Sequence, residues 1–369
     1  MLETENTIFT AEKLFKAYYD CLKRKKKTIN AVKFELNREQ NLFKLLNELQ
    51  NGKYKISRHI CFVVKKPKPR EIFAADFRDR VVHHLVYNEI CHFFENDFIP
   101  NSYSNRKNMG VHKAVKDLKK KVNWRGTHNE NMFYLKADIK NFFRSINKQI
   151  LWNIVSRKIN EIEKPDWWKK EILWLIEIII FHNPSTNYIF KGSAKDKKLI
   201  PAHKSLLIGS DKSGLPIGNL TSQFFANVYL NELDQFIWQK LKIRKYFRYV
   251  DDFVIIHPSR IFLKKLLFLI SNFVKKFLAL SLHPQKWFIQ NVAHGIDFVG
   301  YYLKPNYVLV RKVIVVRFRA VINTIAFKKN IKYRQSCLAS YFGYFSHANC
   351  FNLVIHTNFT PPMHIFDTM

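Results

Sequence analysis

Three aspartates set the chemistry this chain can do. Asp251 and Asp252 stand side by side in "YFRYVDDFVII" (246–256), between two apolar, β-prone runs. By propensity the stretch is a β-hairpin turning at Asp251-Asp252. Asp-Asp supplies the positive φ of a two-residue turn less readily than Asn-Gly or Asp-Gly. Adjacent carboxylates also repel unless a cation lies between them. A solvated turn is one explanation of the pair. A divalent-cation site is the other, because hard cations take oxygen ligands and share them with substrate phosphates. Two-metal phosphoryl transfer then calls for a further carboxylate. Asp138 meets that need: in "FYLKAD" (133–138) Phe133, Leu135 and Ala137 alternate onto one face and leave Asp138 on the other. Taken alone, Asp138 would serve equally well as the cap of a following helix.

These acids belong to a chain with little acid to spare. It has 62 Lys and Arg against 29 Asp and Glu in 369 residues, a formal charge of +33. The excess runs from end to end, with "KRKKK" at 23–27, "KKPKPR" at 65–70 and "KKK" at 119–121. Such a surface suits a large polyanion, nucleic acid rather than membrane. The most apolar segment, Ile172 to Phe181, is interrupted by Glu177 and too short to span a bilayer. The N-terminus has no secretory apolar region, so a cytoplasmic protein is expected. Cys21, Cys61, Cys91, Cys337 and Cys350 are odd in number, widely spaced and without a CxxC, which reads as reduced thiols.

The elements that must position the aspartates follow from periodicity. Helical spacing covers 11–26 and 38–50, and "HICFVV" (59–64) and "REIFAA" (70–75) are strands joined by a basic, proline-containing turn. Helices are expected over 78–97, 110–122, 147–160 and 166–181, with a strand at 132–138. Residues 182–213 read as a long polar loop, of the kind that is functional or inserted. A helix over 219–240 precedes the hairpin, and one over 261–279 follows it. Short strands are expected near 286–290, 296–303 and 306–310, then helix to about Asn349 and an irregular tail. This is an α+β chain, helices packed on antiparallel sheet with a helical C-terminal part.

"YVDD" (249–252) resembles the catalytic signature of reverse transcriptases, and "ADIKNFF" (137–143) resembles their first catalytic motif. "GLPIGNLTSQFFANVYLNELD" (214–234) is similar to their template and nucleotide-handling motif. "LSLHPQKWFIQ" (280–290) and "GIDFVGYYL" (295–303) resemble the palm-closing motifs. "REIFAADFRDRVVHHLV" (70–86) and "FIPNSYSNRKNMGVHKAV" (98–115) resemble the fingers motifs. The resemblance runs in order from about residue 12 to 350.

It implies a right-hand polymerase with fingers over 1–130, palm over 131–310 and thumb over 311–369. The implied reaction is DNA synthesis on an RNA template from dNTPs, with two Mg²⁺ ions, or Mn²⁺ in their place. The resemblance implies Asp138, Asp251 and Asp252 as metal ligands, with Ile139 beside them in the metal site. It implies Lys286 as a general acid toward pyrophosphate. Phe143 would be the steric gate against a 2′-hydroxyl, though its ring alone would equally suit a core position. Arg70, Lys66 and Lys68 match triphosphate-clamping positions. A solvated charge is the alternative for each basic residue, and the favoured one for Lys66 and Lys68. Ile217 and Gly218 fall in the nucleotide-handling motif, and Gly295, Phe298, Gly300 and Tyr301 in the primer-positioning hairpin. His83-His84 has no partner at metal spacing and reads as helix packing or nucleic-acid contact.

Most reverse transcriptases have Gln-Gly where this chain has Ile217-Gly218, and often Ser-Pro where it has Ser222-Gln223. The form "IGNLTSQFFANVYLNELD" resembles the enzymes of diversity-generating retroelements, which copy a template-repeat RNA with errors opposite adenine. That implies a bacterial or phage origin, a structured template RNA, an RNA–DNA duplex product and a basic accessory protein as partners. Antiviral defence-type reverse transcriptases share the motif form, and a catalytically silent RNA-binding scaffold is the third reading. The C-terminal signature of retron enzymes is not evident, and little room remains after residue 350 for the extra regions of group II intron proteins.

Overall fold

The computed structural model describes residues 6–23, 28–66, 68–122, 132–325, 331–350 and 353. The basic run at 23–27, apart from Lys23, and the tail expected to be irregular lie outside the described residues. Contacts divide the chain into two compact units, one of Met1–Ile99, Ile139–Lys240 and Ser271–Leu282, the other of Pro100–Asp138, Leu241–Ile270 and His283–Met369. Among the described residues no helix is long and apolar enough to cross a membrane.

In the first unit, strands β1 (His59–Val64) and β2 (Arg70–Ala74) form the expected antiparallel hairpin, with Val64 opposite Arg70. The segment 182–213 differs from expectation. Within it Tyr188–Phe190 forms β4, numbering along the chain, which adds to β1 in parallel. The same segment satisfies Glu71 of β2, whose buried carboxylate accepts from Ser205 Oγ at 2.8 Å and from the Leu206 amide at 2.7 Å. It reads as loop because its order comes from backbone pairing with β1 and from the Ser205 hydroxyl and Leu206 amide on a buried carboxylate, not from filling a core.

The helix Leu220–Gln235 lies at the centre of this unit and is buried on nearly all sides. It packs on the helices Phe77–Glu95 and Lys148–Glu161. His83 is buried there, its Nδ1 against Thr221 Oγ1, so its role is packing. Burial lowers the His83 pKa to about 3 and the His59 pKa to about 4. Both rings are held neutral in the fold and take up protons on unfolding below about pH 6.5. The contribution of these two rings to stability is therefore full above pH 6.5 and is lost as pH falls toward 4, by up to about 1.4 kcal/mol per pH unit for each histidine. Asp79, Asp251 and Asp252, whose pKa values burial raises to about 6, act in the opposite direction, so the test is a difference: between pH 6.5 and 4.5 the urea midpoint of His83→Gln should fall less, or rise more, than that of the unaltered chain.

In the second unit, β3 (Phe133–Asp138), β5 (Tyr246–Tyr249), β6 (Asp252–His257) and β7 (Phe288–Asn291) form an antiparallel sheet in the order β5-β6-β3-β7. The single strand expected over 296–303 is two, β8 (Ile296–Phe298) and β9 (Tyr301–Leu303), with β10 (Val308–Val310) beyond. Val299 and Gly300 both have positive φ, the signature of a two-residue hairpin turn that sequence alternation alone does not reveal. The core of this unit joins Tyr134, Phe247, Val254, Phe298 and Tyr301 to Phe318 and Phe345. Phe318 and Phe345 come from the helices Lys312–Ile325 and Ile331–Phe345 that the sequence anticipated. Cys21, Cys61 and Cys350 are buried thiols and Cys91 and Cys337 half-buried ones, none of them in a disulfide.

Candidate active site

The second unit brings the three aspartates together. Strand β3 runs antiparallel to β6 with Asp138 directly opposite Asp252, so two carboxylates meet across one ladder position. Tyr249 pairs with Asp252, which makes the turn Val250-Asp251 and not the expected Asp251-Asp252. The strain falls on Val250, at φ +55, a conformation that β-branched residues rarely adopt. Asp252 opens β6, and Asp251 occupies the turn itself.

The cluster is short of positive charge. Burial, and next to it the charge of Asp138, raises the Asp251 pKa to about 6. Burial likewise raises Asp252 to about 6, with Lys136 acting against the shift and Asp138 adding to it. Asp252 Oδ1 is buried without a hydrogen-bond partner. Two lysines supply counter-charge. Lys286 Nζ lies 3.2 and 3.1 Å from the two oxygens of Asp138. Lys136 Nζ lies 3.5 Å from Asp252 and 3.6 Å from Asp297, and donates to the Asp297 carbonyl at 3.0 Å. Arg311 Nε holds the other side of Asp297 at 2.8 Å.

Among the described residues no three His, Cys, Asp or Glu side chains form a ready metal cluster. The donor set nonetheless fits hard divalent cations: three carboxylates, one oxygen of them orphaned, two with raised pKa. Ile139 follows Asp138 with its side chain buried, so only its carbonyl can serve.

The residues expected to handle the nucleotide lie in the first unit. Phe142 is buried at 2% exposure while Phe143 is half-buried, with ring centroids 5.4 Å apart. The pair thus divides the two readings of its aromatics: Phe142 is the core ring, and Phe143 is left partly open. The Phe143 carbonyl accepts from the Leu215 amide at 2.8 Å, and the Ile217 carbonyl accepts from the Phe73 amide at 3.0 Å. Gly218, at φ +130, lies where a Cβ would stand 3.1 Å from the Phe73 carbonyl oxygen, so the loop approaches β2 too closely for a side chain. Arg70 begins β2 and is exposed, as are Lys66 and Lys68 beside the hairpin turn.

The residues expected in the primer hairpin, Gly295, Phe298, Gly300 and Tyr301, lie in and beside the β8-β9 hairpin. Phe298 and Tyr301 are fully buried, so their side chains are core and only backbone is left to face a ligand. Residues either side of a two-residue turn point to the same sheet face, here inward. Tyr301 donates to the Tyr344 carbonyl at 3.0 Å. Gly295 and Gly300 both have positive φ. Sequence reasoning passed over Lys136 and Arg248. Alternation along β3 puts Lys136 on the face of Asp138, a signal that was there to find. Nearby, Lys113, Lys116 and Lys120 of the helix Val111–Lys121, with Arg311 and Lys312, line a groove of about 1780 Å³. Lys113 is paired with Asp117 at 3.0 Å.

Paired carboxylates at a strand turn, a third on the neighbouring strand and a basic surface suit nucleotidyl transfer on nucleic acid. Residues 63–303 match the model of the reverse transcriptase (RNA-dependent DNA polymerase) family, and the chain belongs to that family. Protein YkfC of Escherichia coli K12 is 22% identical over 294 residues, 70% of each chain. The retron Ec73 reverse transcriptase of Escherichia coli is 30% identical over 131 residues, 34% of this chain and 33% of that one. Among solved structures, a telomerase from Candida albicans in complex with a fragment of telomeric RNA matches 87% of this chain and 59% of its own, at TM-score 0.47 and 11% identity. Apo telomerase from Candida tropicalis matches 74% of this chain and 53% of its own, at TM-score 0.48 and 13% identity.

Proposed function

We propose that this RNA-directed DNA polymerase is the error-prone enzyme of a diversity-generating retroelement. The observation that carries the reading is Ile217. Its backbone is fixed against β2, while its side chain has no group with which to hydrogen-bond an incoming nucleotide. A site built with an amide there gains a check on pairing geometry that an isoleucine cannot provide.

The proposed division of labour is fingers over 1–130, palm over 131–310 and thumb over 311–369. Asp138, Asp251 and Asp252, with the Ile139 carbonyl, are the groups that would hold two Mg²⁺ ions. When bound, the ions lower the pKa of an attacking 3′-hydroxyl and offset triphosphate charge. Lys286 holds a proton beside the carboxylates and can pass it to the departing pyrophosphate. Phe143 limits room at the sugar, and Arg70 offers a bidentate grip on phosphate. The lysine-lined groove suits the backbone of an RNA–DNA duplex, read by charge and shape. A structured template RNA and a basic accessory protein complete the assembly; two basic proteins need RNA or a specific patch to join them.

The test is primer extension on candidate RNA templates with dNTPs and Mg²⁺, followed by sequencing of the cDNA. Substitutions should concentrate opposite template adenines. Ile217→Gln should lower that rate about tenfold, one hydrogen bond's worth of discrimination. Errors spread evenly over the four template bases would overturn diversification in favour of a defence-type enzyme. Absence of any extension would favour an RNA-binding scaffold.

A further inference from the structure

Among the described residues Arg248 is the largest fully buried side chain, at 0% exposure, two residues before Val250 of the turn that carries Asp251. A guanidinium is retained in an interior only where its donors are well satisfied. Here Nη1 donates to the Val250 carbonyl at 3.0 Å and Nη2 to Ser102 Oγ at 2.9 Å. Ser102 is itself fully buried. The Arg248 amide donates to the Asn101 carbonyl at 2.9 Å, and the Tyr103 amide to the Arg248 carbonyl at 3.0 Å. Asn101 Nδ2 donates to the Tyr246 carbonyl at 3.0 Å. Residues 101–103 thus lie along the outer edge of β5 and give the guanidinium a rigid anchor.

The gripped carbonyl is the informative one. Val250 stands at φ +55, where a β-branched residue costs on the order of 1–3 kcal/mol and persists only if its surroundings hold it. Its carbonyl belongs to the same rigid peptide plane as the Asp251 amide, so fixing one fixes the other. We propose that Arg248 is a positioning residue: its fork ties the strained Val250-Asp251 peptide to Ser102 and so sets the direction of the Asp251 carboxylate. This rests on the polymerase reading for its consequence, but the clamp itself is a statement about the turn. Lysine, a single point donor, cannot span both acceptors.

Two measurements on the full-length chain test this. In single-nucleotide extension, Arg248→Lys should lower kcat about thirtyfold, with KM for dNTP and the Kd for primer–template within threefold of wild type. Ser102→Ala, a milder change, should lower kcat about fivefold. Glycine adopts φ +55 without strain, so adding Val250→Gly to Arg248→Lys should recover part of the lost rate. In hydrogen exchange without metal or substrate, Arg248→Lys should speed exchange of the 249–252 amides at least tenfold while the rest of β5 and β6 stays protected. Unchanged exchange at the turn in a folded Arg248→Lys or Ser102→Ala protein overturns the clamp. So does loss of kcat that tracks loss of folded protein and is not recovered by Val250→Gly. A wild-type chain that extends no primer would defeat the polymerase reading, and the exchange experiment would still decide the clamp.

Discussion

Asp251→Asn is expected to abolish primer extension, by about a thousandfold or more, while primer–template binding stays within a few-fold of wild type. A thousandfold is about 4 kcal/mol of transition-state stabilisation, the scale of losing one preorganised charge contact in a water-poor site. Asparagine keeps the shape of the side chain and one oxygen but cannot offer a hard cation a full negative charge. Binding should survive because the groups suited to the nucleic-acid backbone, Lys113, Lys116, Lys120 and Lys312, lie on other elements. The fold should not suffer either. Asp251 is crowded by Asp138 and Asp252, and burial opposes its charge, so removing that charge relieves repulsion. The variant should melt at or above the wild-type temperature in EDTA, and Mg²⁺ should raise the wild-type melting temperature more than the variant's. Extension within tenfold of wild type would remove Asp251 from the metal site.

The three clustered carboxylates were legible because strand alternation and a turn dipeptide are local signals. In "FYLKAD" and "YVDD" the chemistry is written in neighbouring residues, and the antiparallel register that sets Asp138 opposite Asp252 follows once both strands are recognised. Three features were not legible, each for a physical reason. The turn fell one residue early, at Val250-Asp251, because propensity rules do not expect valine at positive φ; tertiary contacts through Arg248 overrode them. Phe298 and Tyr301 carry a motif but face the core, because which strand face is buried depends on what packs there, here Phe318 and Phe345. Residues 182–213 read as loop because β4 is only three residues long and gains its order from β1. Arg248 was hidden by its own chemistry: an arginine in a very basic chain gives no sign that it is buried.

Phe143→Ala is expected to open the enzyme to ribonucleotides, raising kcat/KM for rNTPs about a hundredfold and lowering it for dNTPs by less than tenfold. The short helix Phe142–Ser145 is entered through Asn141 at φ +49. That left-handed residue turns the chain sharply after β3 and divides the next two rings. Phe142 goes into the core and Phe143 stays partly open. The helical turn is then pinned from outside, by the Leu215 amide on the Phe143 carbonyl and the Gly214 amide on the Ile146 carbonyl, both at 2.8 Å. A ring on so fixed a backbone excludes an extra hydroxyl by overlap, a steric cost that a mobile side chain would avoid. Losing about 2.7 kcal/mol of discrimination corresponds to the hundredfold expected. The core-aromatic alternative gives the opposite pattern: truncation of a buried phenylalanine costs about 3–5 kcal/mol of stability and leaves substrate choice alone. Thermal unfolding beside rNTP and dNTP kinetics on the same preparation separates them. An unchanged selectivity ratio in a destabilised variant would assign Phe143 to packing.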